Sequence, residues 1–172
     1  MYRYDWYIVP EIFDDTVKEE KILKDFSKML NFLDNSYIKK ICGEMALKVL
    51  VDGCYYGYIV PSNDAIIIQE LPIEYCRTQY SVMGMPAIEF NMAFFDTFGD
   101  VNYRMRIINL FPDEFKKGYA LYKQGKLGPD HQGIGYGWYL LDPGAAFKFN
   151  MNGSDMPTFI NVIPYILDLD AA

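Results

Sequence analysis

The sequence contains a single histidine, two tryptophans and three cysteines in 172 residues. His131 alone falls short of the two or three imidazoles or thiolates that a zinc site usually recruits. Cys42, Cys54 and Cys76 are odd in number and widely spaced, with no CxxC pair, so neither a disulfide framework nor a redox dithiol is written into the chain. They are expected to be buried reduced thiols that pack as small hydrophobes. No apolar run approaches the roughly 20 residues of a membrane span, and the opening MYRYDWYIVP lacks the basic head and apolar middle of a signal peptide. A soluble protein made in a reducing compartment, with no membrane partner, is the expectation. Positive charge is also short. Sixteen Lys and Arg against 23 Asp and Glu leave a formal net charge of -7, which argues against a nucleic-acid binder that uses its whole surface, though not against a local basic loop.

What the chain has in excess is aromatic surface: 15 Tyr and 12 Phe, with the two Trp, bring the aromatic share to 17%. Tyrosine combines a large contact area with a polar handle, so the excess suits interfaces as well as cores. With 51% hydrophobic and 23% charged residues the chain is globular, and its length fits a single domain over 1–172 with a core of its own. Residues 1–10 are aromatic and short; they read as the tail of an element that begins before Met1, with a strand as the alternative.

Hydrophobic period divides the chain. Thr16 and Glu19 have capping-box spacing, and Leu23, Phe26, Leu30 and Leu33 recur every three or four residues, predicting a helix over 16–33 with that stripe inward. Lys18, Lys21, Lys24 and Lys28 lie mostly off the stripe, as on a solvated face. After Asn35-Ser36, the residues Ile38, Ile41, Cys42, Met45 and Val49 predict a second helix over 37–51, closed by Gly53. The short connection makes the two antiparallel, a helical pair over 16–52.

At Gly53 the period changes to two. Cys54 to Phe95 reads as four extended segments broken at Pro61-Ser62-Asn63-Asp64, at Leu71-Pro72 and at Met83-Gly84-Met85-Pro86. Cys76, Thr78, Tyr80 and Val82 share one face, as do Ile88, Phe90, Met92 and Phe94. One antiparallel sheet is expected from 54–95, with Tyr103 to Leu110 as a further strand, so that sheet structure runs over 54–110. Pro112, Asp113 and Glu114 open a helix over 112–125. Trp138–Leu141 and Ala146–Asn150 flank Asp142-Pro143-Gly144 and predict a hairpin over 138–150. Pro157 begins a last helix over 157–170, bent by Pro164, whose apolar side needs a cover. The fold class is α+β.

Candidate chemistry is thin. His131 sits beside Asp130 in the glycine-rich loop 128–137, where nothing resembles a nucleophile motif. Gly133, Gly135 and Gly137 precede a strand-like Trp138-Tyr139-Leu140, whereas a phosphate cradle needs a helix there. The pairs Asp14-Asp15, Glu19-Glu20 and Asp113-Glu114 all stand at helix starts, where the helix dipole favours acids. No catalytic residue, cofactor or metal ligand is assigned.

Several stretches in order resemble the portal, or head-to-tail connector, proteins of tailed bacteriophages. They are Gly57 to Pro61, Ile68 to Arg77, Glu89 to Asp96, Trp138 to Pro143 before Phe147, and Met156 to Phe159 with Leu167 to Leu169. The resemblance covers the chain from about Ile41 to its end. It implies a structural subunit without catalytic residues, assembled as a homo-oligomeric ring at a capsid vertex of the virion. DNA would pass through that ring during packaging and ejection, without sequence-specific binding. Terminase, capsid and head-completion proteins would be its partners. Portal chains are much longer, so the resemblance also implies a fragment, part of the wing region with the start of a stem helix. Two other classes fit the same composition: a small enzyme or ligand-binding module with its site around loop 128–137, and a monomeric phage or bacterial interaction module.

Overall fold

Gly53 is the hinge between the helical and extended halves of the chain. The computed structural model describes residues 8–9, 19–82, 84–128, 136–151, 153–157 and 159–160. Helix α1 spans Glu19–Asn35 and α2 spans Ile38–Asp52. Gly53 then adopts φ 89, donates its N–H to Val49 O at 3.0 Å, and releases the chain into strand β1, Cys54–Pro61. A left-handed φ favours glycine, and here a side chain would also run into the backbone of Asp155.

Strands β2 (Ile66–Leu71), β3 (Cys76–Val82), β4 (Met85–Asn91), β5 (Trp138–Leu140) and β6 (Ala146–Asn150) make up the rest of the described sheet structure. All pairings are antiparallel, and with the flanking helices they make the fold α+β. The strands form two sheets of three, ordered β2-β1-β6 and β3-β4-β5, where the sequence predicts one. Pro72 divides them: it lacks an N–H for a ladder, and the 3-10 turn Ile73–Tyr75 that follows carries the chain out of the first sheet.

The predicted hairpin over 138–150 is corrected in the same way. Its turn forms, with Asp142 O accepting from Ala145 N at 3.0 Å and Ala146 N at 2.9 Å. Its two arms separate, however, β5 pairing with β4 and β6 with β1. The connection thus ties the sheets together, and Leu141 is fully buried where it crosses.

Residues predicted as a strand from Tyr103 to Leu110 form helix α3, Val101–Leu110. Their alternation of apolar and basic residues resembled a strand, but a local cap decides the outcome. The Asp100 carboxylate accepts from Tyr103 N at 2.6 Å, meeting one of the N–H groups a helix start leaves unpaired. A 3-10 segment, Met92–Thr97, precedes it, and Asp113–Lys123 forms α4 with Pro112 as its N-cap.

The inner faces of both sheets meet α3, α4 and the 3-10 segment in one core. It holds Tyr56, Tyr58 and Leu71 from the first sheet, Ile88 and Phe90 from the second, and Met92, Phe95, Ile108 and Phe115. Edge-to-face rings dominate it: Phe90 to Phe115 at 5.3 Å, Phe95 to Phe111 at 5.2 Å and Tyr58 to Phe115 at 5.2 Å between centroids. Much of the aromatic excess is therefore internal. Gly118 brings α4 close against Met92 and Tyr139.

Two burial expectations are corrected. Cys42 is exposed, while Cys54 is buried and Cys76 half-buried; all three are free thiols. Only part of α2 lies on the sheet, and Cys42 falls on its outer side. Leu23, placed on the inward stripe of α1, is 51% exposed; among the described elements α1 packs mainly against α2. The predicted C-terminal helix 157–170 lies almost wholly outside the described residues, as do residues 1–7 and 129–135.

Candidate functional site

Among the described residues no strand pairs with the outer edge of β2 in the first sheet, and α2 overhangs that edge. Two adjoining cavities line this seam, of about 440 and about 230 Å³. Ile41, Glu44 and Ile68 border both, so they form one groove. It runs from the junction of α1 and α2, at Ser36 and Tyr37, to Lys48, Tyr55 and Glu70.

Each wall follows from the sequence. β2 reads Ile-Ile-Ile-Gln-Glu-Leu, and alternation sends Ile66, Ile68 and Glu70 to the α2 side. Lys48 on α2 is ion-paired with Glu70 across the groove. Ser36, 4% exposed, fixes the other end. Its hydroxyl donates to Phe32 O at 2.7 Å and accepts from Ile66 N at 2.8 Å, joining the end of α1 to the edge strand. Burial, helped by the charges of Glu70 and Glu44, pushes the Tyr55 hydroxyl up to about 12.

Two polar clusters lie elsewhere. Glu114, predicted only as a helix-start acid, accepts from Tyr58 Oη at 2.6 Å and from Asp142 N at 2.9 Å. It therefore links β1, α4 and the turn between the sheets. Asp96 accepts from Tyr119 Oη at 2.7 Å and Lys123 Nζ at 2.7 Å, with Arg104 at 3.3 Å. Burial opposes its charge, but those partners outweigh it and hold the carboxyl below its ordinary range. Both clusters are bonded within the fold.

His131, Asp130, Gly133 and Gly135 lie outside the described residues, as do Asp14 and Asp15. Gly137 is buried, with φ 91, against Tyr122 and Asn91. Among the described residues no group of three or more His, Cys, Asp or Glu side chains is placed to hold a metal ion. No described helix is long and apolar enough to cross a membrane. The groove was not anticipated from the sequence; its one signal was the run Ile66-Ile67-Ile68, too apolar for both faces of a strand beside a turn.

Large apolar side chains are exposed elsewhere too, among them two sets on α3 and β6. On α3 they are Val101, Tyr103, Met105 and Leu110, the last 74% exposed. At the end of β6 and just beyond they are Phe149, Met151, Met156 and Phe159. No protein-family model, curated protein or solved structure matches the chain.

Proposed function

We propose that the chain is a non-catalytic structural subunit that assembles with copies of itself into a ring, of the kind its sequence resembles in phage portals. The observation that carries this reading is the exposure of large apolar side chains on two different elements, α3 and the end of β6. α3 joins the core from the side of α4, whereas Phe149 lies on the opposite face of the first sheet, the one that carries α2. A ring needs such an arrangement, since a head-to-tail contact uses two different surfaces of each copy. Exposed apolar patches on a soluble domain mark interaction surfaces.

In this reading the virion is the protein's location, and terminase, capsid and head-completion proteins are its further partners. The acidic balance suits a channel wall that lets DNA slide, because affinity for phosphate comes from Lys and Arg. The test is negative-stain microscopy and light scattering on the full chain and on a Met105→Asp, Leu110→Asp double variant. Both positions are exposed, so the variant should fold. Closed rings for the parent, lost in the variant at unchanged thermal midpoint, support the reading. A monomeric parent, or rings indifferent to both charges, would reject it.

A further inference from the structure

We propose that the open edge of β2 pairs with the same edge of a second copy, antiparallel, around a two-fold axis at Gln69. The inference is separate from the ring reading, whose contacts lie on α3 and β6. It starts from which backbone groups the edge presents.

Ile59 N donates to Ala145 O at 2.9 Å, so Tyr55, Gly57 and Ile59 direct their backbone groups toward β6. Tyr56, Tyr58 and Val60 therefore face β2, where they meet Leu71, Gln69 and Ile67. Ile66, Ile68 and Glu70 are left pointing outward. Two contacts agree with this parity: Ile66 N bonds Ser36 Oγ, and Glu70 O accepts from its neighbour's Gln69 Nε2 at 3.1 Å.

The outward groups match themselves. With Gln69 opposite Gln69 of the second copy, Ile68 stands opposite Glu70 and Glu70 opposite Ile68. Each such pair exchanges two N–H···O bonds, four across the contact, and only the exposed Gln69 amide has to turn aside. The next outward pair is Ile66 with Pro72. There Ser36 already holds the Ile66 N–H, Pro72 has no N–H, and Pro72 O already accepts from Tyr75 N at 3.0 Å. The ladder therefore ends where internal bonds close it, without stranding a donor.

Side chains agree. Ile67, 53% exposed, comes beside the backbone of the second copy at Leu71, whose side chain already belongs to its own core. Glu70 of the second copy comes opposite Ile68, which borders the same cavity as Lys48, so each lysine stands between two glutamates. An unpaired, apolar edge strand is a template for another strand. This contact is isologous, so by itself it stops at two copies. Where it operates together with a ring contact, copies assemble in even numbers.

The experiment is oxidative cross-linking of the full chain in a Cys42→Ser background, which removes the exposed thiol. Gln69→Cys places two thiols on the axis in a non-hydrogen-bonded pair, with Cα atoms about 4.5 Å apart, close enough for a disulfide. Ile67→Cys places them four pairs apart. Fast covalent dimer from Gln69→Cys and little from Ile67→Cys supports the pairing. Equal yields from the two, or no dimer from either, overturns it. Ile67→Lys should abolish the cross-link at position 69, while Leu110→Asp should leave it intact. A parent chain that forms no rings yet still cross-links at position 69 would remove the ring reading alone.

Discussion

Tyr58 donates its hydroxyl to Glu114 Oε2 at 2.6 Å, and the other oxygen of the same carboxylate takes the Asp142 N–H at 2.9 Å. One side chain on α4 thus holds a strand of the first sheet and the turn that leads out of the second. Tyr58→Phe removes one partner and should cost about 1 kcal/mol. Glu114→Ala strands two donors and should cost about 2–3 kcal/mol. Urea denaturation of both variants and the double variant should show that the two losses do not add, because they share a bond.

Tyr55 and Tyr58 predict alkaline sensitivity. Burial raises both hydroxyls, Glu70 and Glu44 adding to it at Tyr55 and the Glu114 bond at Tyr58, with Tyr55 reaching about 12. A raised value means the folded state keeps the proton longer. Their contribution is full below the ordinary tyrosine value of 10.0 and is lost as pH climbs toward about 12. Stability measured from pH 9 upward should fall over that window, and less so in Tyr58→Phe.

Asp96 behaves with the opposite sign. Burial works against its charge, but Lys123, Tyr119 and Arg104 outweigh it and depress its value. Its contribution is therefore present above the ordinary 3.8 and lost as pH falls through the lower folded value. Asp96→Asn should cost roughly 1–2 kcal/mol at neutral pH, and the difference from the parent should close in acid. Thermal midpoints across the acid range measure it.

The thiols should react at very different rates. Cys42 is exposed, whereas Cys54 is buried and burial raises the values of Cys54 and Cys76. A maleimide should label one site quickly, identified as Cys42 by peptide mass, and the other two only in denaturant. Rapid labelling of Cys54 would contradict the packing described for β1.

Much of this fold could be read from local pattern, and its limits are physical. The stripe from Ile38 to Val49 and the stop at Gly53 located α2, because amphipathic period and a glycine cap are both local signals. Period two located β3 and β4, and the breaks at Pro61-Ser62-Asn63-Asp64 and Leu71-Pro72 set off β1 and β2. Pro72 marked a break, but whether the chain returned to the same sheet depended on a core contributed by Phe90, Phe95 and Phe115, far apart in sequence. Tyr103 to Leu110 was misread since its alternation outweighed the single cap residue Asp100. The groove beside β2 joins Ser36, Ile41, Ile68 and Glu70 from three elements, and Glu114 reached partners 56 and 28 residues away. Such associations leave no periodic trace.

Self-association through exposed apolar surface can be read directly by sedimentation equilibrium of the full chain over a wide concentration range. The account predicts a mass that rises from 20.0 kDa to a multiple of it, with Leu110→Asp halting growth at the dimer held by β2. A mass of 20.0 kDa at every concentration would contradict it.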